Sequence, residues 1–440
     1  MVMLAALACG GRSPHDATPT AKPRPAIDLD AVGREVDLLL GTHGAPLARR
    51  GDAETSLRQF VRDRLEQDEL YDELAPKLLS FLVNMRGGSY QVAPYTLKPG
   101  RTPKGQAYFY LDDACEPDEL ERVAPWWDPR ASILVCAKDV KPALVRDPNS
   151  GAYCEASENQ AAERTCGCGP HLVNCAKDAE QAVRLRQATR QEIIRTLEWT
   201  IRSRRPLGEI LTGSETVRSG LGSWFYQRSE FFRTGVLPRV DLNAALARSP
   251  RPDGFDGGII SAPYLLYFDP ARRPIMAALW HDLLCVPFQS THVTADDILT
   301  VGLNFRQSAR PVLAEKAGCK SCHVRLEYGM QALEQFPNGH NGQRLDATVS
   351  KTGKKATRFY VRDENDLRAE GPATPAWLAD MFRRQPEFAT CMADKTLAYV
   401  YGGYAISPAV REPLVEKFRR GQDLASLIED AVVARFLGGR

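Results

Sequence analysis

The residues best suited to carry chemistry form one short string, Cys319-Lys320-Ser321-Cys322-His323. Two thiols three positions apart lie on the same side of a helical turn, and the imidazole that follows lies beside them. This pattern is typical of a porphyrin attached by two thioether bonds, with the histidine as an axial ligand of its iron. The string therefore predicts one haem c, bound through Cys319 and Cys322, with His323 on the iron.

Cysteines with this spacing also occur in zinc sites and in redox-active dithiols. A zinc site needs a second pair of ligands, and the sequence contains no second Cys-x-x-Cys and no His-x-x-x-His. A thioredoxin-like dithiol expects a strand–helix–strand context, which the pattern around this string does not provide. Haem c is therefore the interpretation that the motif favours.

The ligand on the other side of the iron decides between a carrier and an enzyme. Met381 and Met392 lie in the C-terminal helical region, and His340 lies in a glycine-rich turn. These three are the candidates for the sixth ligand, and an open or water-bound iron is the alternative. Both methionines also fit core positions on amphipathic helices. A filled position favours electron transfer, and an open one favours a haem enzyme of the peroxidase or oxygenase type. A surface binding module with a structural haem is a third hypothesis.

The chain has eleven cysteines. Two belong to the haem motif, and Cys9 is a candidate for lipidation. The even remainder fits disulfides formed in an oxidising compartment. Its members are Cys115, Cys136, Cys154, Cys166, Cys168, Cys175, Cys285 and Cys391. A metal site is the alternative for one cluster, which consists of Cys166, Cys168, Cys175 and His171. Disulfides in a turn-rich loop are favoured there.

Composition and the N-terminal residues indicate where such a protein would work. The formal net charge of +2 gives no sign of nucleic-acid binding. The sequence contains no run of about 18 apolar residues, so no transmembrane helix is expected. The first nine residues, MVMLAALAC, resemble the end of a bacterial lipoprotein signal, and a Pro- and Gly-rich linker follows Cys9. We expect an extracytoplasmic protein of the periplasm or outer membrane, held by a lipid on Cys9. Its redox partner protein is not indicated by the sequence.

Apolar periodicity predicts a mainly α fold. Its parts are helical domains, a cytochrome c-like haem-binding part and a disulfide-rich insertion of loops and short strands. Strands are expected at 107–111, 132–135 and 358–361, and Thr374-Pro375 and Ser407-Pro408 mark helix starts. A stripe from Leu424 to Val432 predicts an amphipathic last helix. The expected divisions are a signal remnant 1–9, a flexible linker 10–28, a helical N-terminal region 29–86, a cysteine-rich insertion 87–178, a helical domain 179–290 and a haem domain 291–440.

Beyond the motif, the chain resembles planctomycete-type cytochrome c-like proteins, which are exported haem proteins built of domains of unknown function. The resemblance covers roughly residues 190–437. Its parts follow in the family's order, at EWTIRSRRPLGEIL from Glu198, GIISAPYL from Gly258, LLCVP from Leu283, the haem segment Cys319 to Phe336, and Phe388 to Tyr401. The chain departs from the family at Glu327-Tyr328, where Asp-Pro is usual. The family has no settled activity, so the resemblance implies haem, export and fold.

The resemblance also implies a disulfide. Cys285 and Cys391 lie in the two segments that resemble the family elements flanking the haem. We therefore expect them to pair, tying the helix before the haem to the C-terminal helices. The alternative is two buried free thiols, because free cysteine is often buried.

Overall fold

The structure of the chain is a computed structural model. It describes residues 27–43, 45–68, 70–83, 95–111, 113–140, 168–173, 175–234, 236–237, 239–266, 272–287, 317–333 and 356–438. The mainly α character that the sequence predicts is confirmed within these ranges, together with small sheets and three disulfides.

Three helices form the N-terminal part, α1 (Leu29–Leu40), α2 (Ala53–Leu65) and α3 (Leu70–Leu82). The side chain of Asp28 caps α1, and that of Asp52 caps α2 by accepting a 2.7 Å bond from the backbone N–H of Thr55. Gly41 ends α1 in the left-handed region, with φ of 72°. The apolar positions that predict these helices are buried, as expected from their spacing.

The cysteine-rich region contains short strands. Its strands are β1 (Tyr95–Thr96), β2 (Lys98–Arg101), β3 (Ala107–Tyr110), β4 (Leu120–Val123), β5 (Ile133–Cys136) and β6 (Cys175–Ala176). The order β2-β3-β5-β4 makes a four-stranded sheet, and β1 pairs in parallel with β6. Disulfides Cys115–Cys136 and Cys168–Cys175 hold this region. Trp126 stacks on Trp224 at 4.2 Å between ring centroids, so this tryptophan serves packing.

The next part returns to helix. Its elements are α4 (Ala179–Arg202), α5 (Glu209–Thr212), β7 (Glu215–Arg218), α6 (Gly220–Thr234), β8 (Ala247–Pro250), α7 (Pro263–Leu266), α8 (Arg272–Leu284) and α9 (Ala317–Gln331). Asp178 caps α4, and the stripe of Ile193, Leu197 and Ile201 is buried as its spacing predicts. Strands β7 and β8 form a two-stranded antiparallel sheet, and β7 packs against α4.

Two strands and four helices complete the chain. They are β9 (Ala356–Tyr360), β10 (Leu367–Pro372), α10 (Pro375–Arg384), α11 (Pro386–Val400), α12 (Pro408–Gly421) and α13 (Leu424–Leu437). Thr374 caps α10 by accepting the N–H of Trp377 at 3.2 Å, and α12 begins at Pro408 as predicted.

Helix α13 differs from the amphipathic helix that its sequence predicts. Its apolar stripe is buried, but Glu429 and Asp430 on its remaining surface are buried as well. Glu429 pairs with Arg62 of α2 at 2.9 Å and also with Arg204, which follows α4. Distant arginines therefore neutralise the polar side of this helix, and they allow it to lie inside the fold.

One hydrophobic cluster extends from Leu29 to Val433 and includes Trp280 and Phe359. Helix α11 packs against α3, α8, α12 and α13, so it is central to this cluster. Within the described ranges, no helix combines the length and apolar character that crossing a bilayer requires.

Tyr399 of α11 predicts a loss of stability in alkali. Its hydroxyl donates to the backbone oxygen of Leu39 at 2.8 Å, and burial raises its pKa from 10.0 to about 12. Below the ordinary pKa the protonated phenol is present in both states. As pH rises from 10.0 to about 12, Tyr399 loses its proton in the unfolded chain but keeps it in the folded one. The unfolded chain is thereby favoured, so on the order of 2 kcal/mol of stability is lost.

We expect Tyr399→Phe to flatten this alkaline decline in denaturant unfolding followed at a series of rising pH values. Tyr404→Phe is the matched control, since Tyr404 is 75% exposed and should leave the profile unchanged. Equal slopes for wild type and Tyr399→Phe would contradict the assignment.

Candidate functional site

Helix α9 carries the Cys-Lys-Ser-Cys-His string, and it packs against α8 and β9. Gly329 lets α9 approach α8 closely, because a Cβ there would lie 2.9 Å from Sδ of Met276 and 3.1 Å from the ring of Trp280. On the β9 side, Oγ1 of Thr357 donates to the backbone oxygen of Tyr328 at 2.7 Å. These contacts hold the helix that positions the candidate site.

The motif occupies the first turns of α9. The structure describes Cys319 through its helical backbone, and Cys322 and His323 with their side chains. Positions three and four apart on a helix share a face, as the predicted attachment to one porphyrin requires. Cys322 is half-buried and forms no disulfide with another cysteine that the structure describes.

His323 is 22% exposed and lies one helical turn before Glu327, which is 5% exposed. Its Nδ1 is 3.1 Å from Oε1 of Glu327. The imidazole is therefore held by a buried carboxylate through one nitrogen. This arrangement leaves Nε2 as the nitrogen able to bind a metal ion.

Arg325 is a second polar residue of this helix that the motif does not include. It is 3% exposed, and its Nη1 donates to the backbone oxygen of Val361 at 3.5 Å. Burial lowers the pKa of its guanidinium, while interactions with Cys322 and with Asp363 act in the opposite direction. A cationic group therefore lies beside the Cys322 thiol.

A cavity of about 470 Å³ opens on the flank of α9. The side chain of Glu387 is 15% exposed and contacts Arg362 and Arg368 through Oε1. Its Oε2 is buried and has no hydrogen-bond partner within the described part of the chain. The cavity combines polar, charged and apolar groups, as small-molecule sites do. Its lining residues are Leu284, Cys285, Val286, Pro287, Ser321, Arg325, Arg362, Asp363 and Glu387.

The disulfide expected between Cys285 and Cys391 is present, and it joins the end of α8 to α11. Cys391 is 2% exposed, whereas Cys285 is exposed and has a φ of 54°, in the left-handed region that non-glycine residues rarely adopt. The alternative of two free thiols is therefore wrong for this pair.

The second cysteine cluster also forms a disulfide, between Cys168 and Cys175. His171 contacts the backbone oxygen of Ala124 through Nδ1, at 2.9 Å. The metal-site alternative is therefore wrong for Cys168 and Cys175, whose sulfurs are joined to each other. Cys154 and Cys166 lie outside the described residues.

Two of the three candidates for the sixth ligand lie in the main hydrophobic cluster, which also contains Leu326 and Met330 of α9. Met381 on α10 is 8% exposed, and Met392 on α11 is fully buried, and both belong to the main core. Helix α8 packs against both α9 and α11, and α11 carries Met392. His340 and the lipidation candidate Cys9 lie outside the described residues. The sixth ligand stays a prediction.

Glu327 and Arg325 are the residues that the motif alone does not reveal. The i,i+4 spacing of His323 and Glu327 is the available signal, since side chains four apart on a helix are neighbours. Arg325 lies three positions after Cys322, which is a comparable signal, but its contact with Val361 could not be expected because Val361 lies on a segment that follows β9.

Comparison with protein-family models, with curated proteins and with solved structures found no match. Among the described residues, no group of three or more His, Cys, Asp and Glu side chains is arranged to hold a metal ion.

Proposed function

We propose that the chain is an exported c-type cytochrome that transfers electrons through one haem, bound by Cys319 and Cys322 with His323 as an axial ligand. The observation that carries this proposal is the contact of His323 Nδ1 with Glu327 on the helix that bears both cysteines. A histidine ligand needs its second nitrogen held by an acceptor, and the buried carboxylate supplies one.

The residues present fit a haem c. Two cysteine positions and one imidazole lie on one face of α9, and the contacts of Gly329 and Thr357 fix that helix. Haem c, when bound, supplies an iron that cycles between its ferric and ferrous states. The chain's own role is to attach the haem, to hold the His323 ring in one orientation and to shield the haem from water.

The three described disulfides support work in an oxidising compartment. Haem attachment through thioethers also belongs to extracytoplasmic proteins, so the two features agree. We place the protein in the periplasm or outer membrane, with a lipid on Cys9 as its anchor and a redox protein as its partner.

A haem enzyme with an open iron position is the second candidate. The observation that favours it is the cavity beside α9, where a buried Oε2 of Glu387 has no partner among the described residues. A small substrate with a hydrogen-bond donor would match that oxygen. Electron transfer remains the first proposal because it requires only the haem motif, whereas the enzyme also requires a substrate site and the cavity lies on the flank of the helix.

The attachment is tested by producing the chain in a host with a haem-c maturation system. We expect haem that stays with the wild-type chain on a denaturing gel and resists acidified acetone. Cys319→Ser and Cys322→Ser should each lose most of it, because each removes one thioether. Ser321→Ala, between the two cysteines, is the matched control and should retain haem.

Extractable haem, or none, in the wild type would refute the proposal. Optical spectra then separate the two candidates. A low-spin ferric spectrum that is indifferent to cyanide indicates a filled sixth position and a carrier. A high-spin spectrum that changes on adding cyanide or peroxide indicates an open position and the enzyme.

A further inference from the structure

We propose that Glu327 is a positioning residue that fixes the tautomer of His323 and lowers the reduction potential of the haem. The inference rests on the proposed function, and it concerns a residue outside the haem motif. Its basis is the 3.1 Å separation between His323 Nδ1 and Glu327 Oε1, one helical turn apart.

The tautomer follows from the donors and acceptors. A neutral imidazole has one nitrogen that donates and one that accepts, whereas an ionised carboxylate only accepts. With Glu327 ionised, Nδ1 of His323 carries the proton and donates the hydrogen bond to Oε1 of Glu327. Nε2 is left with its lone pair, which is the form that binds a metal ion.

The pair is held in place by its surroundings. Glu327 is 5% exposed and His323 is 22% exposed, so water competes little for their hydrogen bond. Both belong to α9, which is fixed on one side by Gly329 against Trp280 and on the other by Thr357 against Tyr328. These contacts fix the helix that carries both side chains.

A buried carboxylate that accepts from Nδ1 makes the imidazole a more basic ligand. A more basic ligand and a nearby negative charge both stabilise the oxidised, more positive iron. The effect is opposite to that of a methionine sixth ligand, which raises the potential. Glu327 thus biases the haem toward giving electrons, and its partner would be an acceptor of higher potential.

The test measures the midpoint potential of the holoprotein by spectroelectrochemistry. In Glu327→Ala we expect the midpoint potential to rise by about 59 mV or more, for a one-electron couple. At a fixed ambient potential, the ratio of oxidised to reduced protein should then fall about tenfold or more. Glu327→Gln keeps an oxygen that accepts from Nδ1 but loses the charge, so its shift should be smaller and in the same direction.

Glu387→Gln is the matched control. It removes a carboxylate on the flank of α9 whose contacts are with Arg362 and Arg368, so it reports the effect of charge without the hydrogen bond to His323. We expect its shift to be smaller than that of Glu327→Ala. Equal shifts would show that Glu327 acts only as a distant charge, and this result would overturn the proposal.

Failure of this inference is distinct from failure of the proposed function. Wild-type protein without covalent haem defeats the function. Covalent haem in every variant with an unchanged potential defeats only the role of Glu327. Loss of folding in the isosteric Glu327→Gln, followed by circular dichroism, would assign Glu327 a structural role and also overturn the proposal.

Discussion

Replacing both Cys285 and Cys391 by alanine should lower the free energy of unfolding by about 4 to 5 kcal/mol, the value expected for a loop on the order of 100 residues. The disulfide spans 106 positions and closes a loop that contains the whole haem segment. Without the disulfide, the unfolded chain has more conformational freedom, and it must lose this freedom when it folds. Urea unfolding followed by circular dichroism measures the difference.

The pair Cys115–Cys136 provides the control, because its separation is 21 positions. The same double replacement there should cost about 3 kcal/mol, since loop entropy grows only with the logarithm of loop length. A loss at Cys285–Cys391 that is no larger than at Cys115–Cys136 would contradict the loop-entropy explanation.

Reduction of the Cys285–Cys391 bond should not separate α8 from α11 completely. Nζ of Lys395 on α11 donates to the backbone oxygens of Asp282 at 2.7 Å and Leu82 at 2.9 Å, at the C-terminal ends of α8 and α3. Burial lowers the pKa of Lys395, while its interaction with Asp282 opposes that change. The reduced protein should therefore keep its helical content and lose stability.

The helices could be predicted from the sequence because their cause is local. Ile193, Leu197 and Ile201 recur at the spacing of one helical face, and Asp178 stands where α4 needs an acceptor for its first N–H groups. The start of α10 at Thr374-Pro375 follows from the same local chemistry. Such features depend on residues within one or two turns.

Other features depend on residues that are far apart in the chain. Glu429 is buried because Arg62 and Arg204 reach it, and nothing near Glu429 in the sequence indicates these partners. The pairing of Cys168 with Cys175, which are seven positions apart, could not be predicted for a different reason, since eight cysteines allow about 105 connectivities. Long-range partners such as Arg62 and Arg204 require the fold itself.

The candidate site lies between these two cases. The motif at Cys319, Cys322 and His323 is local and predicts one cofactor and its attachment. The contact of Glu327 with His323 is local too, but it can be expected only once the motif is placed on a helix. The cavity beside α9 could not be predicted, because four separate segments line it.

Glu192 is the residue outside the site whose loss should cost most. It is fully buried on α4, where Oε1 accepts from Oγ1 of Thr216 at 2.8 Å and from the hydroxyl of Tyr226. The guanidinium of Arg251 is 3% exposed and lies 3.4 Å from the same oxygen. Burial, followed by the Glu192 charge, raises the pKa of Tyr226 well above its ordinary value, so the phenol remains a donor.

Glu192→Gln should destabilise the fold by about 3 to 5 kcal/mol, because it leaves Arg251 as a buried charge without its counter-ion. Replacing both partners, in Glu192→Met with Arg251→Met, should cost less than the sum of the single replacements, since no buried charge remains. Glu215→Gln, on the strand that also carries Thr216, is the matched control. Its pair with Arg248 is exposed, with side chains 33% and 54% accessible, so the loss should stay below about 1 kcal/mol. Urea unfolding of these variants measures the coupling, and strict additivity of the two single losses would show that Glu192 and Arg251 contribute independently.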